Sequence, residues 1–338
     1  MTNVPLSTTG EPSPPVAVGP LSAIVLDLIG GRPPRRHLSR LAAPVSHADP
    51  YGLDLQLALH VCYELHYRGF AGVDSRWEWD AGLLHLRSSL EQVFEAALLC
   101  DVGKSGEGAT AFAEMDALSV EPVDGEGLSY FLRDEGTWAQ MREYFVHRSI
   151  YNLRECESHA WLIPRLPGPA KAAFVAIEYG AGRGDRLDQK LFADLLRAAK
   201  LESKYLAYLN HVPAESLVVV NLMSMFGLHR AWRGAAVGYF ASSEITSPPG
   251  SHRLVQALNR LSAPEPCVRF YAEHVEPGAV HEQVVRDDVV GNLVADEPEL
   301  DRDVVLGIRV RDLAEERLAA HMMKSWVSGR SSLRRPIA

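Results

Sequence analysis

The chain has 338 residues, of which 47% are apolar and 23% charged, and it carries a net charge of −9. That length buries one large core or two ordinary ones, and the negative balance, with no basic block before the tail, argues against a nucleic-acid surface. Four dispersed cysteines (Cys62, Cys100, Cys156 and Cys267) lack CxxC spacing and read as reduced thiols of a cytoplasmic protein, and neither a signal pattern nor an apolar run of about eighteen residues points to export or a membrane.

Residues 1–18 are rich in Pro, Ser, Thr and Gly and are expected to form a disordered arm. A short apolar segment, Leu21 to Ile29, ends at Gly-Gly-Arg-Pro-Pro. From Asp49, with Pro50 in a first turn, apolar residues at helical spacing (Leu55, Leu57, Leu59, Val61, Leu65) predict a helix whose His60 and His66 fall on different faces and read as structural. Trp77 and Trp79 flank a turn. A second helix spans Leu83 to Leu99, and Gly103 to Gly108 form a loop. Helical pattern resumes from Leu128 to Arg142, then in an amphipathic helix that ends before Pro164 and offers His147, Glu155 and His159. Glu155 and His159 stand one turn apart, as a ligand or proton-relay pair or simply as a polar face.

Ala170 to Glu178 is a strongly apolar helix that ends on a carboxylate. The glycine-rich Glu178–Asp185 stretch has no strand before it and no Lys-Ser/Thr after it, so it is not read as a phosphate loop. It reads as a helix interruption that lets Glu178 and Asp188 converge; an unbroken helix would set them about 80° and roughly 15 Å apart. Residues 215–243 read as one buried helix that delivers Glu244 near its end, before Ile-Thr-Ser-Pro-Pro-Gly, where an unpaired carboxylate is costly to bury. Ser251 to Leu261 is a short helix. The stretch from Arg269 to Gln283 holds His274 and His281, which on one helix would differ by about 20° in azimuth and roughly 10 Å in height, with Glu273, Glu276 and Glu282 beside them. Helices follow from Val280 to Ala295 and from Leu300 to Trp326, and a polar, basic tail (residues 327–338) is expected to be loose. The chain is therefore read as an all-α bundle without internal repeats: an arm (1–18), one helical domain (19–326, with an N-terminal part 19–127 and a core 128–326) and the tail.

Glu178, Asp188, Glu244, His274 and His281, with the phrases Ile-Glu-Tyr-Gly, Asn-Leu-Met-Ser-Met-Phe-Gly-Leu-His-Arg and Phe-Tyr-x-Glu-His-Val-Glu, resemble the ligand pattern of the haem-oxygenase-like di-iron oxidases and oxygenases. The likeness runs from about residue 50 to 326. It implies a haem-oxygenase-like helical bundle with extra N-terminal helices, binding one or two Fe(II) ions and using O2 as co-substrate. Two positions depart from the family pattern. Asp188 stands where the family has His, though Asp still ligates iron through oxygen. Gly278 stands where it has the Asp of His-x3-Asp-x2-His, so the second iron position lacks a ligand unless Glu155, Glu276 or Glu282 supplies one.

The resemblance implies oxidation or oxygenation of a small-molecule substrate such as an amino acid or fatty acid, by N-oxygenation, desaturation or C–C cleavage. Candidate pocket residues are Tyr144, Tyr151, Trp161, Arg165, Arg183 and Arg230, chosen for their closeness in sequence to the ligands. The competing readings are a metal-degenerate binding or partner protein, and a metal-independent thiaminase-like enzyme relying on Cys156 or Cys267. No nucleic-acid or membrane partner is expected, and a homodimer is an assembly the sequence allows.

Overall fold

The computed structural model describes residues 11–31, 45–103, 108–120, 125–180, 185–275 and 278–337, without the side chains of 185–188 and 278–279. Among the described residues there is no strand: the protein is all-α, as its 3.6-residue periodicity predicts. No described helix is long and apolar enough to cross a membrane.

Helix α1 (Pro20–Ile29) begins on proline and is tied to α2 (Leu53–Glu64), whose Asp54 carboxylate accepts the Leu21 and Ser22 amides at 2.9 and 2.8 Å. Side-chain caps from Asp80 and Thr110 start α3 (Ala81–Val102) and α4 (Ala111–Ser119). The helix expected from Leu128 to Arg142 is two, α5 (Leu128–Asp134) and α6 (Trp138–Asn152). Gly136 packs so closely on Leu132 that a Cβ there would lie 2.8 Å from its Cα, and a Thr137–Gln140 capping box restarts the chain. The amphipathic helix expected up to Pro164 ends at Asn152. It is followed by α7 (Glu155–His159) and a 3₁₀ turn, Ala160–Arg165, that contains Pro164.

Helices α8 (Gly168–Tyr179), α9 (Asp185–Ala198), α10 (Ala214–Leu228), α11 (Arg233–Arg260), α12 (Glu265–Ala272), α13 (Gly278–Val284), α14 (Asn292–Asp296) and α15 (Asp301–Val327) build the rest, with a π-helical turn at Val285–Gly291. The buried segment 215–243 is thus divided between α10 and α11, and residues 251–261 are the last part of α11. That helix runs through Pro248 and Pro249, although each proline removes a hydrogen bond to the carbonyl four residues back. Packing against α15, α5, α12 and α13 holds it together. Helices α11 and α15 approach backbone to backbone: a Cβ on Gly238 or Gly307 would lie 2.0 Å from the facing carbonyl oxygen of Val304 or Ala235.

The two termini depart from the sequence-based expectation. Of the expected arm, residues 1–10 lie outside the described residues, and 11–18 are packed rather than disordered: the Pro12 carbonyl accepts the Ala71 amide at 2.9 Å, and Val16 N–H donates to Asn210. The tail is not loose either. Ser332 is buried, its hydroxyl donates to Glu143 at 2.6 Å, and it accepts from His147 Nε2 at 2.9 Å. His321 Nε2 donates to the Ser332 carbonyl, and Leu333 is buried.

Candidate active site

A cavity of about 510 Å³ opens between α6, α7, α8, α11, α12 and α15. Glu155, Glu178, Glu244 and His274 line it. Helix α7 brings Glu155 there because its first turn is clamped from behind. Arg154, fully buried, donates to Glu64 at 3.1 Å and to Ser224, and lies 4.1 Å from the centre of the Tyr67 ring. Tyr205 adds a second hydrogen bond to Glu64 at 2.7 Å. On the other side Arg68 pairs with Glu157, and the Tyr179 hydroxyl donates to the Cys156 carbonyl at 2.7 Å.

Two carboxylate–imidazole pairs result. His159 Nδ1 donates to Glu178 Oε1 at 2.9 Å, both side chains being almost fully buried. Burial alone would lower the His159 pKa, but the Glu178 carboxylate outweighs it and holds the imidazole up. His159 Nε2 is buried without a hydrogen-bond partner, with the Phe240 ring edge-on at 5.3 Å between centroids. The second pair is His281 Nδ1 with Glu244 Oε2 at 3.0 Å, each side chain about one-sixth exposed. Burial pushes the Glu155 carboxyl up against the pull of His159, and the Glu178 charge raises it further. Tyr151 donates to Glu155 Oε1 at 2.8 Å.

His274 and His281 do not share one helix. His274 lies in the turn after α12, its Nδ1 2.6 Å from the Phe270 carbonyl, and His281 lies on α13. Glu244 relates them: it faces the same cavity as His274 and bonds His281. Glu282 points elsewhere, accepting from Ser119 of α4. Glu276, Arg183 and the Asp188 side chain lie outside the described residues. Tyr144 and Tyr151 do line the cavity, whereas Trp161 packs on Gly227 and Arg165 donates to the Leu228 carbonyl. Neither of these, nor Arg230, reaches the wall. Of the two thiols weighed as nucleophiles, Cys156 lines the cavity. Cys267 faces the Leu195 carbonyl and is pushed up to about 11 by burial, which disqualifies it.

His159 and Arg311 are the residues that sequence reasoning underrated. His159 was paired with Glu155 on its own helix, not with Glu178. Arg311 and Glu315 reach the wall from α15, where their four-residue spacing on a helix with a buried apolar face was the available signal.

Among the described residues no three His, Cys, Asp or Glu side chains stand close enough to hold a metal ion as placed. The donors come as separate pairs. In kind, however, they suit iron: imidazoles and carboxylates adjoin one cavity, and the Glu178 charge raises the proton affinity of Glu155, a repulsion that a bound cation relieves.

Carboxylates and imidazoles from facing helices around one cavity are the arrangement in which helical bundles build cofactor and metal sites. A family model described as iron-containing redox enzyme matches residues 142–316, just over half of the chain, which takes in every cavity-lining helix from α6 to most of α15. The chain belongs to that family, and its function is of the oxidoreductase type. No curated protein matches it significantly.

Proposed function

We propose that this protein is a non-haem iron oxidoreductase that uses O2 to oxidise a small molecule held in the cavity. The observation that carries this reading is the meeting of Glu155, Glu178, Glu244 and His274 on one cavity wall, within the region shared with iron-containing redox enzymes. Glu178, Glu244, His274 and His281 would hold iron, with Glu155 taking the part that Gly278 has no side chain to play. Asp188 belongs to the same proposed set, since α9 begins directly after the segment that follows Glu178. Iron bound there supplies the electrons and the vacant coordination positions that O2 chemistry requires.

The remaining work falls to the chain. His159 orients Glu178 through its Nδ1–H, the kind of outer contact that fixes a ligand's direction. Glu155, its carboxyl pushed up by burial, accepts from the Tyr151 hydroxyl at 2.8 Å, which fixes its direction at the cavity wall. Ile177, Leu254 and Phe270 supply apolar wall that limits water around those groups.

Oxygen uptake by protein loaded with Fe(II) under argon tests the proposal. Uptake that Glu244→Gln and His281→Ala abolish supports it, and uptake unchanged in both variants opposes it. A second reading, a metal-free binding protein of the same fold, draws on the separate pairing of the donors. It predicts no Fe(II) binding at all.

A further inference from the structure

Three arginines line the cavity, and their bonding differs. Arg148 is committed to Glu315 through two hydrogen bonds of 2.8 and 2.6 Å. Arg253 donates to the Ser129 and Tyr130 hydroxyls and lies 4.2 Å from the centre of the Tyr130 ring. Arg311 is tethered by one nitrogen only: Nη1 donates to Ser242 Oγ and Thr246 Oγ1, both at 3.0 Å. Its Nε and Nη2 bond no described residue, and neither atom is sealed from solvent. Nearest in charge is Asp312, 3.9 Å away, already accepting from Ser242 and with its carboxyl pushed up by burial. The open Nε–Nη2 side of a guanidinium is a parallel pair of donors that matches the two oxygens of a carboxylate.

The rest of the wall explains the sign of the ligand. Glu178, Glu244 and Glu315 each face a basic partner, His159, His281 and Arg148 respectively. Glu155 accepts from the Tyr151 hydroxyl at 2.8 Å, and Glu316 sits exposed at the rim. Among the described residues Arg311 is therefore the cavity-lining arginine whose Nε–Nη2 edge is open, since Arg253 Nε is bonded to Ser129 and Arg148 Nε, though unpaired, is sealed from solvent. Tyr151 and Tyr239 line the same cavity, Tyr151 donating to Glu155 and the Tyr239 ring centre lying 5.9 Å from the Arg311 guanidinium.

We propose that the cavity takes a small organic acid whose carboxylate docks on the Nε–Nη2 edge of Arg311, its carbon chain running past Tyr151 and Tyr239 toward Glu155. This rests on the reading of the cavity as the reaction chamber, but not on iron being bound. A volume of about 510 Å³ suits a compact metabolite-sized acid.

The test is calorimetric titration of the full chain, with and without Fe(II), against pentanoate, pentanamide and pentylamine. Pentanoate should bind, and the amide and amine should not. Arg311→Met should weaken pentanoate binding roughly 10- to 100-fold, as loss of a charge-assisted pair does, and Arg311→Lys, which keeps charge without the fork, should fall between. Binding of pentylamine in preference to pentanoate, equal pentanoate binding by wild type and both variants, or no binding of any probe overturns the proposal. Fe(II) titration of the same variants separates the two claims: pentanoate binding that depends on Arg311 in a protein that takes no Fe(II) sustains this inference and defeats the iron reading.

Discussion

Replacing Arg154 by methionine is the perturbation whose consequence can be worked furthest from the structure. Arg154 and Glu64 are both fully buried and bonded at 3.1 Å through Nη1 and Oε2, and neither Glu64 Oε1 nor Arg154 Nε has a hydrogen-bond partner among the described residues. Burial already pushes the Glu64 carboxyl up, and Arg154 is the largest influence opposing it. Without the guanidinium the carboxyl must stay buried alone or take up a proton. Holding a proton at pH 7, about 2.7 units above the ordinary carboxyl value, costs roughly 3.7 kcal/mol. That agrees with the ~3–5 kcal/mol found when one partner of a buried pair is removed. With an unfolding entropy of about 2.1 cal/mol/K per residue, this lowers the melting temperature of a chain this size by roughly 4–7 °C. The double variant Glu64→Met with Arg154→Met, which removes both charges, should recover most of the loss. Its Fe(II) affinity should remain weak, because Arg154 also fixes the start of α7 and so the place of Glu155 and His159. Calorimetric melts of the two variants check the account. A single variant that melts within 1 °C of wild type, or a double variant no more stable than the single, would refute the reasoning.

Three further outcomes are expected. His60 and His147 are buried and neutral, each held down to about 3 chiefly by burial, so both take up protons only on unfolding as the pH falls below the ordinary value near 6.5. Their contribution is complete above that value and is lost on acidification: between pH 7 and pH 5 each should cost about 2 kcal/mol, visible as a falling urea midpoint, and His147→Gln should remove about half of that slope. Deleting residues 328–338 leaves His147 Nε2 and Glu143 without their Ser332 partners, which should destabilise the protein by about 2–4 kcal/mol in the same urea assay. His159→Phe keeps an aromatic ring beside Phe240 but removes the Glu178 partner, so Fe(II) affinity should drop roughly 10- to 100-fold, and the iron-free protein, left with a buried carboxylate short of its basic partner, should also melt lower.

The fold class was legible because apolar residues recur at helical spacing throughout the chain, although α4, which Thr110 caps, was not expected from the sequence. Helix ends were harder. Pro248 and Pro249 read as a stop, yet α11 passes through them because it is packed on neighbouring helices along its length, a tertiary fact absent from the local sequence. The break at Gly136 arises from contact with Leu132, and the π-helical turn after α13 has no residue signature that could announce it. Residue types at the candidate site were legible, but not their pairings. Glu244 and His281 lie 37 positions apart and Glu178 and His159 19 apart, joined only through the packing of separate helices. Composition likewise suggested loose termini, because Ser, Arg and Pro reveal nothing about the buried acceptor, Glu143, waiting for Ser332.

The central claim is that the carboxylates and imidazoles of α7, α8, α11 and the His274–His281 region together bind iron. Anaerobic titration of the full chain with Fe(II), read by calorimetry and by thermal unfolding, tests it most directly. Saturation at one or two ions per chain is expected, with about 2.7 kcal/mol of stabilisation, roughly 4 °C, at a hundredfold excess over Kd, and both should be lost in Glu244→Gln with His281→Ala. An iron-free protein whose heat signal and melting point do not respond to Fe(II) would contradict it.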